Sequence, residues 1–439
     1  MGVLTRMFPP DLVDEVIAGC GRTEIRHRSL PARTMAYFAI GMALYSEGSY
    51  EDVMSLLTDG LGWASPVEAV KLPSKSGIFQ ARERLGFEPV EALFGRVARP
   101  LAPVGTPGAW LAGRRLVAID GTSLDVADTP ENVGFFGRPG VSKGEQAAFP
   151  QARVVALIEC GTHAIFDAVV GACTTGEVTL SRSLVGRLGP GMLCLADRGF
   201  YGFSLWEQAR DSGADLLWRM RTTQCLDPIE VLADGSYLSK VFEVRNFKRR
   251  GDGIVVRVID YTIDDGRQND NVYRLITTIL DPGQASAEDL ALAYAQRWEI
   301  ETTFDELKSH QRGPRAVLRS KSPGLVLQEI WGHLCCHYAI RTLMFEAAAD
   351  ANVDPDCVSF VAALRIARRS NLRSARFGSN PSAADAPTRD SSNANGEMAR
   401  QTSQTPRLAK TSRPTSRSHI RPLTERVLRL ARVCGNAVH

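Results

Sequence analysis

The spacing of apolar and polar positions changes twice along this chain. Over residues 1–105 the apolar residues recur at helical intervals. Met35, Phe38, Ile40, Met42 and Leu44 follow Pro31 and predict one helix. Ser49 with Asp52 gives a capping-box start for the next. A third begins near Ser76 and passes through Phe79, Ala81, Arg82 and Leu85 to a stop at Gly86. Short helices with basic residues on the last fit a helix-turn-helix DNA reader or a plain helical bundle. Spacing alone leaves both open, and DNA contact is the expectation for this region.

From Arg115 the runs shorten. Leu116-Val117-Ala118-Ile119 ends at Asp120-Gly121 and reads as a buried strand meeting a turn. Residues 130–150, with Phe135, Phe136, Gly137, Pro139 and Gly140, read as a loop. Val154 to Glu159 and Ala164 to Val170 flank Gly161-Thr162 as a hairpin. Residues 177–187 fit a helix, and Met192 to Ala196 form another short apolar strand ending at Asp197-Arg198-Gly199. The order is strand, strand, strand, helix, strand, with an acid closing the first and the last.

Strand signals then crowd together at Leu216-Leu217-Trp218, Val241 to Val244, Ile254 to Val258 and Tyr273 to Ile276. After the Pro282-Gly283 turn a long helix starts at Ser286, with Asp289 three residues on, and stops at Gly313-Pro314. Beyond residue 371 Ser, Asn, Ala, Thr and Arg dominate, a composition that buries too little surface to order itself. The chain thus divides into a helical N-terminal, DNA-binding domain (1–105), the first part of an α/β core (106–213) and a β-rich insertion (214–284). The second part of the core (285–370) and a basic, disordered tail (371–439) complete it.

Composition narrows the class. The chain is 44% hydrophobic and 23% charged, which fits a soluble globular protein. The first twenty residues carry Pro9, Pro10, Asp11, Asp14 and Glu15, so no apolar signal core is read there. Met35 to Tyr45 is too short to span a bilayer, and Gly324 to Met344 is broken by Gln328, Glu329, His333, His337 and Arg341. A cytoplasmic protein without a membrane partner, nucleoid-associated when on DNA, is expected. Nine cysteines without a C-x-x-C pair argue against a disulfide framework and a zinc ribbon. His333, Cys335, Cys336 and His337 read as a buried helix, since the segment is apolar and lacks the carboxylate of an H-E-x-x-H site. Net charge is +3, but residues 371–439 hold twelve Lys and Arg against four Asp and Glu, so residues 1–370 are net −5. DNA binding by such a body must rest on local basic patches. Two are visible: Lys308, Arg312, Arg315, Arg319 and Lys321, and Lys240, Arg245, Lys248, Arg249 and Arg250. Phosphate contacts of this kind supply affinity and little sequence information.

The long helix carries the most informative pattern, Tyr294-x-x-Arg297-x-x-x-Glu301-x-x-x-x-x-x-Lys308. At about 100° per residue these four lie on one face within an arc of about 60°. Ile300, Phe304 and Leu307 form an adjoining apolar stripe. Taken singly, an Asp before Gly is commonly a turn residue and Glu301 a surface charge or an i,i+4 partner of Arg297. Jointly they suit phosphodiester chemistry. Two Mg²⁺ ions, about 3.5–4 Å apart, can serve the attacking and leaving oxygens in line. Hard cations of this kind take carboxylate oxygens and keep several waters, so two or three acids suffice. Asp120 and Asp197 at strand ends, with Glu301 from a helix across them, would make that pocket as catalytic and metal-binding residues.

These residues resemble the Y-x2-R-x3-E-x6-K signature of DDE transposases of the insertion-sequence-four type. Ala118-Ile119-Asp120-Gly121-Thr122 and Leu195 to Tyr201 resemble that family's two aspartate motifs. Leu30 to Arg33 and Phe79 to Gly86 look like its helical N-terminal domain, and Arg319-Ser320-Lys321-Ser322-Pro323 like the stretch after the glutamate. The likeness covers about residues 8–370. It implies an RNase H-like core with a β-strand insertion between the second Asp and the Glu. It further implies cleavage at transposon ends and strand transfer into target DNA by a Mg²⁺ enzyme, Mn²⁺ substituting. The partners implied are double-stranded DNA, as terminal inverted repeats and target, and a second copy of the chain on paired ends. Tyr294, Arg297 and Lys308 would contact terminal phosphates, with Arg198 nearby, and Trp298 would stack on an extruded base. A nuclease of the same fold without strand transfer, and a non-catalytic DNA-binding derivative, remain the alternatives.

Overall fold

Strands buried on both faces read as unbroken apolar runs, and the runs at Leu116–Ile119 and Met192–Ala196 lie side by side at the centre of one sheet. The computed structural model describes residues 2–24, 30–60, 73–140, 147–243, 253–262, 272–313, 317–376 and 421–422. The strands are β1 (Trp110–Leu111), β2 (Arg114–Asp125), β3 (Gln151–Glu159), β4 (Ala164–Ala172), β5 (Met192–Ala196) and β6 (Asp215–Met220). They continue with β7 (Glu230–Val231), β8 (Tyr237–Val241), β9 (Ile254–Thr262) and β10 (Val272–Thr277). Their order across the sheet is β4-β3-β2-β5-β6-β10-β9-β8-β7, with β1 paired to β2 off this path. A two-residue strand, β11 (Arg421–Pro422), pairs with β9 and is the part of the tail beyond residue 376 that falls within the described residues.

Neighbours β4, β3 and β2 are antiparallel, whereas β2, β5 and β6 are parallel. This is the mixed order of an RNase H-like core. Two sequence expectations change here. β2 does not end at Asp120 but continues to Asp125, because Gly121 to Asp125 still pair with β3. β6 pairs with β5 and so belongs with the core strands. The strands β7 to β10 then extend the same sheet from its edge.

Alternation along β2 sorts its side chains onto two faces. Leu116, Ala118 and Leu124 join one apolar cluster, and Val117 and Ile119 join the other. The second face is covered by the helices over Glu177–Leu184 and Phe203–Asp211. The helices in chain order are α1 (Gly2–Met7), α2 (Pro10–Gly19), α3 (Ala32–Leu44), α4 (Tyr50–Gly60), α5 (Lys75–Leu85), α6 (Glu88–Val97) and α7 (Pro130–Phe136). They continue with α8 (Glu177–Leu184), α9 (Phe203–Asp211), α10 (Ala287–Ala295), α11 (Trp298–Asp305), α12 (Pro323–Ala351) and α13 (Phe360–Arg376). Helix α7 occupies part of the stretch read as a loop. It forms because Thr129 caps it, accepting from Asn132 N, with Pro130 at its first position.

The apolar all-round character of α3 and α12 marks buried helices. Every residue of α3 from Met35 to Leu44 is buried, and α12 crosses it at Gly332. A Cβ there would collide with the Ala39 carbonyl, so only glycine permits this approach. Among the described residues no helix is long and apolar enough to cross a membrane.

The N-terminal helices share one core with α12 and the first sheet face. Arg82 bolts them in place. Its fully buried guanidinium donates to Gln328 Oε1 (2.8 Å), Tyr50 OH (2.7 Å), Ser320 Oγ (3.1 Å) and the Leu325 carbonyl (3.2 Å). A cation that the sequence offered to DNA is therefore spent inside.

Candidate active site

The capping box at Ser286 forms as expected, with Asp289 N donating to Ser286 Oγ at 3.1 Å. The helix that follows is not continuous. Arg297 N bonds to the Tyr294 carbonyl and Ile300 N to that of Arg297, i→i+3 bonds that tighten the turn between α10 and α11. After Asp305 the coil widens into a π turn over Glu306–Gln311. One uniform helix was expected. The departures fall where Arg297 and Glu306 turn polar side chains into the protein, at 6% and 5% exposure.

Register places the two aspartates. Ile119 on β2 pairs with Ala196 on parallel β5, so Asp120 on β2 and Asp197 just past the end of β5 are the next residues of two neighbouring chains of backbone about 4.8 Å apart. Parity puts both on the face covered by α10 and α11. Tyr294 OH donates to the Ala196 carbonyl at 3.3 Å and lies 3.5 Å from Asp197 Oδ1. Arg297 Nη1 stands 3.6 Å from Asp120 Oδ2, and Gly121 N donates to Asp120 Oδ1 at 2.8 Å. Lys308 Nζ donates to Thr122 Oγ1 at 3.1 Å.

Glu301 lies between these tethers, four residues after Arg297, and its side chain is exposed. It is close enough to Arg297 to act on its charge. Among the described residues no three His, Cys, Asp or Glu side chains stand together as a ready-made metal group. The β2–β5 register brings Asp120 and Asp197 close enough for their charges to act on one another, while the Glu301 side chain is exposed. Arg198 is exposed in the turn after Asp197. The side chain of Trp298 lies outside the described residues.

The electrostatics suit a cation. Burial pushes the Asp120 carboxyl up to about 6, against the Gly121 N–H and the Arg297 charge that favour its ionised form. Glu177 and Asp197 push it further in the same direction. The donors here are hard oxygens of the kind Mg²⁺ takes, and each aspartate keeps its guanidinium neighbour at 3.6 Å, beyond a good hydrogen bond. The residues present therefore fit a divalent ion.

Two neighbours were missed in the sequence. Arg219 on β6 reaches Asp197 Oδ1 at 3.6 Å and lies over the Tyr273 ring at 4.5 Å, with Tyr261 stacked on Tyr273. A charge inside the apolar run Leu216 to Met220 was its only signal. Glu177, opening α8, fills the space that a side chain at Gly121 would occupy, and no motif marks it.

The basic patches are also revised. Arg312 is buried, and Arg319 donates to the Gly48 carbonyl at 2.7 Å and lies over the Tyr50 ring. Burial takes Arg312, beside the charges of Glu329 and Asp125, and an internal carbonyl and ring take Arg319, leaving Lys308 and Lys321 exposed. Arg315, Arg245, Lys248, Arg249 and Arg250 lie outside the described residues. His333, Cys335, Cys336 and His337 are all buried in α12, as expected.

Residues 1–95 match the family described as insertion element 4 transposase N-terminal, and residues 111–339 match the transposase DDE domain. The chain is 30% identical over 341 residues to the transposase InsG for insertion sequence element IS4 of Escherichia coli K12, covering 77% of this chain and 75% of that one. InsZ of the same strain is 27% identical over 211 residues, 48% of this chain and 68% of its own. A cryo-EM structure of a piggyBac transposase synaptic complex with hairpin DNA superimposes with TM-score 0.44 at 11% identity, covering 94% of this chain and 87% of that one. Two adjoining family matches, the second spanning over half the chain, leave one conclusion: the chain belongs to the DDE transposases of the insertion element 4 family, DNA-transposing enzymes that depend on divalent metal.

Proposed function

We propose that Asp120, Asp197 and Glu301 are the acids that hold two Mg²⁺ ions, for which Mn²⁺ substitutes, in a cut-and-paste reaction at transposon ends. The observation carrying this reading is the pair of tethers, Arg297 to Asp120 and Lys308 to Thr122, which fixes the Glu301 segment over the strand bearing the first acid. Bound metal would supply charge stabilisation at the attacking and leaving oxygens. The chain's own residues do the rest. Asp120 and Asp197, held side by side by the β2–β5 register, offer oxygens from a rigid floor. Glu301 closes over them from its exposed position when the ions and DNA arrive. Tyr294, Arg297, Lys308 and Arg198 meet terminal phosphates, and Trp298 stacks on an unpaired base. The helices of residues 1–105 contribute DNA contacts, and two copies act on paired ends in the cytoplasm.

The test is joining of a pre-cleaved 3′ end to plasmid DNA in Mg²⁺, beside nicking of a terminal-repeat oligonucleotide. Joined products are expected. Cut products alone would identify a nuclease of the same fold, and neither product would identify a DNA-binding derivative.

A further inference from the structure

Behind the site lies a buried polar network that phosphate and metal contacts do not use. Glu306, first residue of the π turn, forms an ion pair with Arg341 of α12, whose Nε donates to Oε2 at 2.9 Å and whose Nη2 donates to Oε1. His337 Nε2 stands 3.3 Å from Glu306 Oε2. Arg341 Nη2 also donates to His163 Nδ1 at 2.6 Å, and His163 Nε2 lies 3.2 Å from Asp356 Oδ1. The rings of His337 and Phe360 stack over it, with centroids 5.4 Å apart. Five separate parts of the chain therefore meet here: the π turn, α12, the β3–β4 connection, the Pro355–Cys357 turn and the start of α13.

The network is costly to build. His163 holds a left-handed backbone, φ 56°, which a non-glycine residue adopts at a price in strain. A buried ion pair adds little net stability over apolar packing, and its best-attested use is to fix one register among several. A π turn is a place where register must be fixed, because its i→i+5 bonds compete with ordinary helix. Glu306 is five residues after Glu301 and two before Lys308, so a shift at Glu306 rotates both.

We propose that Glu306 is a positioning residue of the transposition reaction: its ion pair with Arg341, braced by His337 and His163, locks the π turn and so sets Glu301 and Lys308 over residues 120–122 of β2. This deepens the reading above and rests on it.

The test uses full-length protein. Hydrogen exchange is followed without metal or DNA, and Mn²⁺ binding is titrated calorimetrically on the complex with terminal-repeat DNA. Glu306→Gln should speed exchange in peptides spanning 298–311 while those of α3 stay protected. It should also weaken Mn²⁺ binding about 10-fold, with end-DNA affinity reduced no further than by Lys308→Ala. Unchanged exchange at 298–311, or acceleration throughout the protein, overturns the proposal. Should Glu306→Gln not fold, His163→Asn loosens Arg341 from the other side while leaving the ion pair. It should shift both readouts in the same direction by less, and wild-type behaviour overturns the proposal. Glu301→Gln is measured beside them. If it leaves Mn²⁺ binding intact, the three-acid reading fails; if it alone weakens binding, only the positioning role fails.

Discussion

Lys308 Nζ donates a 3.1 Å hydrogen bond to Thr122 Oγ1, two residues along β2 from Asp120. The tether joins the last residue of the motif to the strand that carries its first acid, across 186 positions of sequence. A Lys whose partner is a neutral hydroxyl is easily surrendered to a phosphate, which adds ion-pair attraction that the hydroxyl lacks.

Lys308→Ala should therefore weaken end-DNA binding and flatten its salt dependence by about one unit of slope. Thr122→Val, which removes the hydroxyl and leaves the charge, should keep the wild-type slope. Fluorescence anisotropy over a salt series reads both. A wild-type slope for Lys308→Ala would remove it from the phosphate contacts.

Gly332→Ala tests the crossing of α3 and α12. The added methyl group meets the Ala39 carbonyl, and overpacking of this kind destabilises by about 1–3 kcal/mol. Chemical denaturation should show a lowered midpoint with an unchanged slope. A midpoint equal to wild type would mean that the two helices part freely.

Arg82→Met keeps the apolar stem and removes the guanidinium. Gln328, Ser320 and the Leu325 carbonyl then lose their buried donor, for a loss of about 3 kcal/mol. The same denaturation assay measures it, and a loss near zero would show that water takes the place of Arg82.

Stability should fall with acid in two stages. Burial, with the charges of Arg312 and Arg319, holds His333 well below its ordinary 6.5. The unfolded chain binds that proton first, so this stability is complete above pH 6.5 and declines as pH drops below it. Burial would raise Glu306, but Arg341 and the histidines bring it down to about 2 from 4.5. Its contribution is present above pH 4.5 and is lost as pH falls from there to about 2. Denaturation at pH 7.5 and 5.5 should differ for the wild type and differ less for His333→Gln. Equal pH dependence in both would assign the first stage elsewhere.

The two aspartates were legible because parallel strands covered on both faces leave apolar runs, and an acid closing such a run stands out. The Tyr294–Lys308 face was legible from helical period. The breaks at Arg297 and Glu306 were not, because both residues look like surface charges until their partners, Asp120 and Arg341, arrive from distant sequence. Arg82, Arg312 and Arg319 were misread as available to DNA for the same reason. The continuation of β2 past Asp120 was hidden by the polar run Gly121-Thr122-Ser123, which pairs well but carries no apolar signal.

Crystals of the end-DNA complex soaked in Mn²⁺ address the shared metal centre by anomalous scattering. Peaks within about 2.0–2.6 Å of carboxylate oxygens from Asp120, Asp197 and Glu301 together are the predicted result. Peaks that involve the two aspartates while Glu301 stays turned to solvent, or that fall elsewhere on the chain, would contradict it.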